Sequence, residues 1–143
     1  MAIARIIRSR GHKVTILTAR RSGAISGELD VEVLATTGWS NHGRNLNFSR
    51  AVESRCAGHF DRVVGFDKLA GLDVLYCGER SVAARRVSML AGWLPRRRVL
   101  LSLEAESFAP DSNTQVLLVS ETQRDEYRAA WNTPASRMTL LPP

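Results

Sequence analysis

The chain has 143 residues, 44% hydrophobic and 24% charged, with a net charge of +6 and a pI near 10.3. That length accommodates one domain with a real core and not two ordinary ones, and the composition excludes fibrous and disordered classes. No apolar run approaches the ~18 residues of a membrane span, and Met1-Ala2-Ile3-Ala4 opens into a helical pattern without a signal-peptide core.

Ile3, Ile6 and Ile7 share one face and Gly11 follows as a stop, so residues 2–10 read as a helix. Val14–Thr18 is a buried strand, residues 20–30 a polar Gly/Ser loop, and Val31–Leu34 a second strand. Trp39 to Gly43 leads into a helix on which Phe48, Val52 and Cys56 recur every four residues. Arg62–Phe66 and Asp73–Tyr76 are strands bracketing a Gly-flanked charged loop. Residues 80–91 read as a short helix, broken by Gly92-Trp93-Leu94-Pro95, with a further helix over about 97–108. Gln115–Val119 is a buried strand, Ser120 with Gln123 a capping box opening the helix of Tyr127 and Trp131, and Met138–Leu141 a last strand before Pro142-Pro143.

This alternation predicts an α/β domain: a Rossmann-like, mostly parallel sheet with helices on both faces. Such sheets normally begin with a central strand and a Gly-rich turn before the first helix. Here the chain opens inside a helix and closes on Pro-Pro, so both ends are expected to be cut.

Three features could carry chemistry. In Asn41-His42-Gly43-Arg44-Asn45, glycine permits a tight turn, and Asn41, His42, Arg44 and Asn45 offer donors suited to sugar hydroxyls or phosphate oxygens. The competing reading is a polar helix cap with Asn41 as N-cap. The second is the loop after the Arg62–Phe66 strand, with Asp67, Lys68 and Asp73 expected at the carboxyl edge of the sheet. There Lys68 suits a phosphate and Asp73 a hydroxyl, unless the two form a solvated surface pair.

The third is the segment from Cys77 to Phe108, with six arginines (80, 85, 86, 96, 97, 98) against three acids. Arg85, Arg86, Trp93, Arg96, Arg97 and Arg98 would suit an anionic membrane interface, with the indole at headgroup depth. Arg96–Arg98 would also fit nucleic-acid phosphates, and most charge runs are simply solvated faces. The overall excess of arginine points to an anionic partner, although GC-rich coding yields the same composition. Cys56 and Cys77 lack metal-ligand spacing and suit a reducing compartment. Walker, Gly-x-Gly-x-x-Gly, Gly-x-Ser-x-Gly and His-Glu-x-x-His motifs are missing.

Asn41-His42-Gly43-Arg44-Asn45, then Asp61-Arg62-Val63-Val64-Gly65-Phe66-Asp67-Lys68 and Gly71-Leu72-Asp73-Val74, closely resemble the lipopolysaccharide core glucosyltransferases of glycosyltransferase family 4. The Leu/Val-rich strand, Ser120, an aromatic helix and Leu140-Leu141-Pro142-Pro143 are similar to the end of that family's N-terminal domain. The resemblance implies that residues 1–143 are the truncated N-terminal, acceptor-side half of a GT-B fold, its first strand and Gly-Gly loop missing. The implied reaction is metal-independent, cofactor-free and retaining: glucose passes from UDP-glucose to an inner-core heptose. A C-terminal domain would hold most of the nucleotide sugar.

Carried over, Asp73 is the catalytic candidate; Asn41, His42, Arg44, Asn45, Asp67 and Lys68 face the acceptor. The arginine-rich segment would dock at the cytoplasmic face of the bacterial inner membrane, where a lipid-linked saccharide sits, and nucleic acid would be no partner. Taken alone the chain would have no turnover. The rival is a non-catalytic basic module that binds nucleic acid or an anionic membrane.

Overall fold

The computed structural model describes residues 2–20, 29–85 and 94–142. Helix α1 (Ala2–Ser9) ends where Gly11 adopts a left-handed φ of 90° and its N–H reaches back to the Arg8 carbonyl at 2.9 Å. Strands β1 (Thr15–Thr18) and β2 (Asp30–Val33) pair in parallel, with Thr15 opposite Asp30 and Thr18 opposite Val33. Helix α2 (Asn41–Cys56) crosses to β3 (Val64–Gly65), followed by β4 (Val74–Cys77), α3 (Pro95–Phe108), β5 (Gln115–Leu118), α4 (Glu121–Trp131), a 3₁₀ turn (Ala135–Arg137) and β6 (Met138–Leu140).

Every pairing is parallel, as the alternation of strands and helices requires, but the strands form two sheets, β1-β2 and β3-β4-β5-β6. The core lies under the larger one. Leu75, Val116, Leu118, Phe108 and Tyr127 are wholly buried, with Leu72, Cys77 and Met138 around them. Phe108 of α3 and Tyr127 of α4 stack at 3.6 Å between ring centroids, locking both helices over β4 and β5. At 25 cal/mol per Å² of apolar surface, side chains of this size supply roughly 2–3 kcal/mol each. By contrast α1 buries none of its residues, and Ile3 and Ile6 stand about half exposed.

Two expectations shift. Pro95 begins a helix instead of ending one: at N1 its missing N–H is no loss, so α3 starts two residues earlier than expected. Of the helix expected over 80–91, residues 82–85 form bends, and 86–91 lie outside the described residues. Among the described residues, no helix is long and apolar enough to cross a membrane.

Candidate functional site

Ligands of parallel α/β sheets bind at the loops leaving the strands' carboxyl ends, and the loops after β2, β3 and β4 carry polar side chains here. The loop after β2 enters α2 through Ser40, whose Oγ accepts from the Gly43 N–H at 3.1 Å and lies 3.1 Å from His42 Nε2. Ser40, not Asn41, is therefore the N-cap, and Asn41 to Asn45 form the first turn of α2. Asn41 Oδ1 accepts from Arg44 Nη2, Arg44 Nη1 reaches the Gly38 carbonyl at 3.4 Å, and Asn47 Nδ2 donates to Thr37 O at 2.7 Å. These bonds hold the turn rigid while Asn41 and Asn45 stay exposed and His42 and Arg44 half-buried. Trp39, fully exposed one residue before the cap, stands beside them.

The loop after β3 separates residues expected to act together. Gly65 lies beneath Leu72, where a Cβ would come within 2.4 Å of Leu72 Cδ1, so a larger residue would push the Leu72 side chain aside. Asp67 follows at the carboxyl edge with its carboxylate exposed. Asp73, however, immediately precedes β4 and so lies at the amino edge. Its carboxylate accepts from the Val63 N–H at 2.7 Å, with Arg62 Nη1 at 3.5 Å, and its own N–H bonds the Val63 carbonyl at 3.0 Å. The connection between two parallel neighbours has to start at one edge and finish at the other. Asp73 accordingly clips β3 to β4, away from Asp67 and the α2 turn.

Lys68 turns inward. Its side chain is 10% exposed, and Nζ lies 2.8 Å from Oε2 of the fully buried Glu104 on α3, with the Tyr127 ring at 5.4 Å. Glu104 also accepts from Ser81 Oγ at 2.7 Å, Trp131 Nε1 at 2.7 Å, Val82 N at 2.8 Å and Ala83 N at 3.2 Å. Burial pushes the Glu104 carboxyl up, but the Lys68, Trp131 and Val82 hydrogen bonds and the Lys68 charge prevail, holding it below the usual carboxylate range. Glu126 on α4 accepts from Arg80 Nε at 2.8 Å and Ser81 N at 3.2 Å; the Arg80 bond leads in lowering its pKa. Gln123 Nε2 and Tyr127 OH donate to the Glu79 carbonyl at 3.0 and 2.9 Å. Three elements thus clamp the loop after β4. Burial pushes the Tyr127 phenol far up, so it stays a neutral donor there.

On the basic segment, Arg85, Arg96 and Arg98 are exposed, while Arg97 Nη2 lies 3.4 Å from the Arg85 carbonyl. Arg86 and Trp93 lie outside the described residues. Arg96–Arg98 occupy the first turn of α3, which has neither an acidic residue nor a side-chain cap.

Sequence reading did not single out Glu104, Gln123 as a loop clamp, or Trp39. For Glu104 a signal exists, since Leu100, Glu104 and Phe108 fall on one helical face, and a lone acid in an apolar stripe implies a buried partner. Nothing in the sequence ties Gln123 to a loop more than forty residues upstream.

A parallel α/β domain of this kind occurs in the GT-B glycosyltransferases, and this chain matches part of that fold. No family model matches the chain. The lipopolysaccharide glucosyltransferase WaaG of Escherichia coli (strain K12) is 28% identical over 148 residues, spanning 100% of this chain and 39% of that protein, and the two are homologous. The crystal structure of WaaG, a glycosyltransferase involved in lipopolysaccharide biosynthesis, matches with a TM-score of 0.92 and 27% identity over 99% of this chain and 39% of that one. The chain thus spans about two fifths of the relative's length.

Proposed function

We propose that this chain is the acceptor-binding half of a retaining, metal-independent glucosyltransferase that moves glucose from UDP-glucose to an inner-core heptose of lipopolysaccharide. The supporting observation is the likeness of this chain to part of WaaG, with the Asn41–Asn45 turn following β2 and Asp67 following β3 at their carboxyl ends. Asn41, His42, Arg44, Asn45 and Asp67 bind the saccharide, and Trp39 offers a flat apolar face of the kind sugar rings stack on. Lys68 serves by fixing the loop through Glu104, and Asp73 holds the sheet instead of reaching the reacting sugar. On this reading a second domain would hold most of the nucleotide sugar.

The same reading puts the protein at the cytoplasmic face of the inner membrane, where its acceptor is lipid-linked. Arg96–Arg98 support this. Three cations in a first helical turn oppose the helix dipole, at roughly 0.3–1 kcal/mol each, which local stability gives no reason to keep. Anionic headgroups offset that repulsion. Calorimetric titration tests the reading: saturable binding of a heptose-bearing inner-core oligosaccharide, weaker binding of UDP-glucose and no glucose transfer are expected. Salt-sensitive binding of duplex DNA without saccharide binding would replace it with a nucleic-acid module.

A further inference from the structure

Positive charge gathers away from the carboxyl-end loops. The nine residues from Arg5 to Lys13 hold four arginine or lysine side chains and no acid, against a net charge of +6 for the whole chain. Arg8 lies in the last turn of α1, where a cation favours the helix dipole, and Arg10 follows directly. His12 and Lys13 stand beyond Gly11, outside the helix, where the dipole gives no reason for them.

These side chains converge. Arg8, His12, Lys13, Val14 and Asp30 line a cavity of about 240 Å³ where the end of α1 meets the amino ends of β1 and β2. Among the described residues, ion pairs take up Arg55, Arg62, Lys68, Arg80 and Arg124, whereas Arg8, Arg10 and Lys13 enter none. Cations that share a concavity without being neutralised focus positive potential inside it.

Asp30 narrows the choice of ligand. Its Oδ2 accepts from Thr15 Oγ1 at 3.3 Å. A carboxylate repels an anion but accepts readily from a hydroxyl. Arginine and lysine grip phosphate oxygens through charge-assisted hydrogen bonds, and an imidazole offers a further N–H. A phosphate monoester carries close to two negative charges at neutral pH, matching the two permanent cations of the cavity, whereas a diester carries one. The volume falls below the roughly 300–1,000 Å³ of drug-sized sites, which suits a phosphate on a short hydroxylated body.

We propose that this cavity binds a small phosphate monoester bearing hydroxyl groups. Arg8, His12 and Lys13 hold the phosphate, Asp30 accepts from a hydroxyl, and Val14 supplies an apolar wall. The site lies at the amino ends of β1 and β2 and the saccharide loops leave the carboxyl ends of β2 and β3, so it is independent of the sugar transferred. A soluble ester and a lipid headgroup both present this chemistry.

The test is a titration of the 143-residue protein, followed by backbone amide shifts, with glycerol 3-phosphate, inorganic phosphate and sulfate in turn. Expected are saturable shifts at Arg8, His12, Lys13 and Asp30, and tighter binding of glycerol 3-phosphate than of sulfate. Lys13→Ala should weaken that binding on the order of tenfold, through loss of a hydrogen bond to a charged group. Asp30→Ala should remove the preference for glycerol 3-phosphate over inorganic phosphate. Both side chains are exposed, so neither change burdens folding. Neutral vesicles doped with a phosphomonoester lipid separate the two sources: displacement of glycerol 3-phosphate assigns the phosphate to a headgroup, and its retention assigns it to a soluble ester. An absence of saturable shifts at Arg8, His12 and Lys13, equal affinity for sulfate, or unchanged affinity in Lys13→Ala would overturn the proposal. Failure of saccharide binding at the α2 turn would leave it standing.

Discussion

Removing the Glu104 carboxylate should destabilise the domain more than almost any other single change. The group is fully buried and receives five donors, from the loop after β3, the loop after β4 and α4. In Glu104→Ala the Lys68 ammonium, 10% exposed, keeps Glu79 Oε2 at 3.9 Å as its charge partner among the described residues. Breaking one side of a buried pair costs about 3–5 kcal/mol, against a total of about 5–15 kcal/mol for an ordinary domain. Glu104→Gln keeps the shape and one acceptor, and should lose less.

Urea unfolding followed by circular dichroism measures both variants, and Lys68→Met closes a double-mutant cycle. Lys68→Met with Glu104→Gln should recover part of the loss, since no unpaired charge then remains. The pH dependence has a definite sign. Glu104 is held below its unfolded value, so its contribution is complete above about pH 4.3 and disappears as pH falls through the folded value. Glu104→Gln should flatten the acid limb of the stability curve. A loss below about 1 kcal/mol in Glu104→Ala, or an unchanged acid limb in Glu104→Gln, would refute the assignment of the cluster as the clamp on these loops.

Asp73→Asn should cost about 1 kcal/mol in urea unfolding through its Val63 bond and leave saccharide affinity unchanged, whereas Asn45→Ala should weaken that affinity with little effect on stability. Gly65→Ala should lose about 1–3 kcal/mol in the same assay, because the added methyl meets Leu72. Replacing Arg96, Arg97 and Arg98 by alanine should cut binding to anionic vesicles by on the order of a hundredfold, at about 1 kcal/mol per charge. The same change should leave α3 slightly more stable by thermal unfolding.

Much of the fold was legible where side-chain period and burial coincide. β4 and β5 read as strands because Leu75, Cys77, Val116 and Leu118 alternate inward, and α2 read as a helix because Val52 and Cys56 face the core. Pro95 misled, since proline both ends helices and begins them, and only its neighbours in space distinguish the two. The loop after β3 misled more. As sequence, Asp67, Lys68 and Asp73 are one charged cluster. Folded, they lie at one edge, in the interior and at the other edge, because a parallel crossover separates its own ends. The Glu104 cluster joins residues 36, 23 and 27 positions apart, a convergence local pattern does not encode.

The proposed acceptor site lies along the loops that leave the carboxyl ends of β2 and β3. Backbone amide shifts recorded while a heptose-bearing inner-core oligosaccharide is titrated into the protein test it residue by residue. Saturable shifts are expected at Trp39, Asn41 to Asn45 and Asp67, and none at Asp73. Shifts centred on Asp73 and the amino edge, or none at the α2 turn at saturating saccharide, would contradict it.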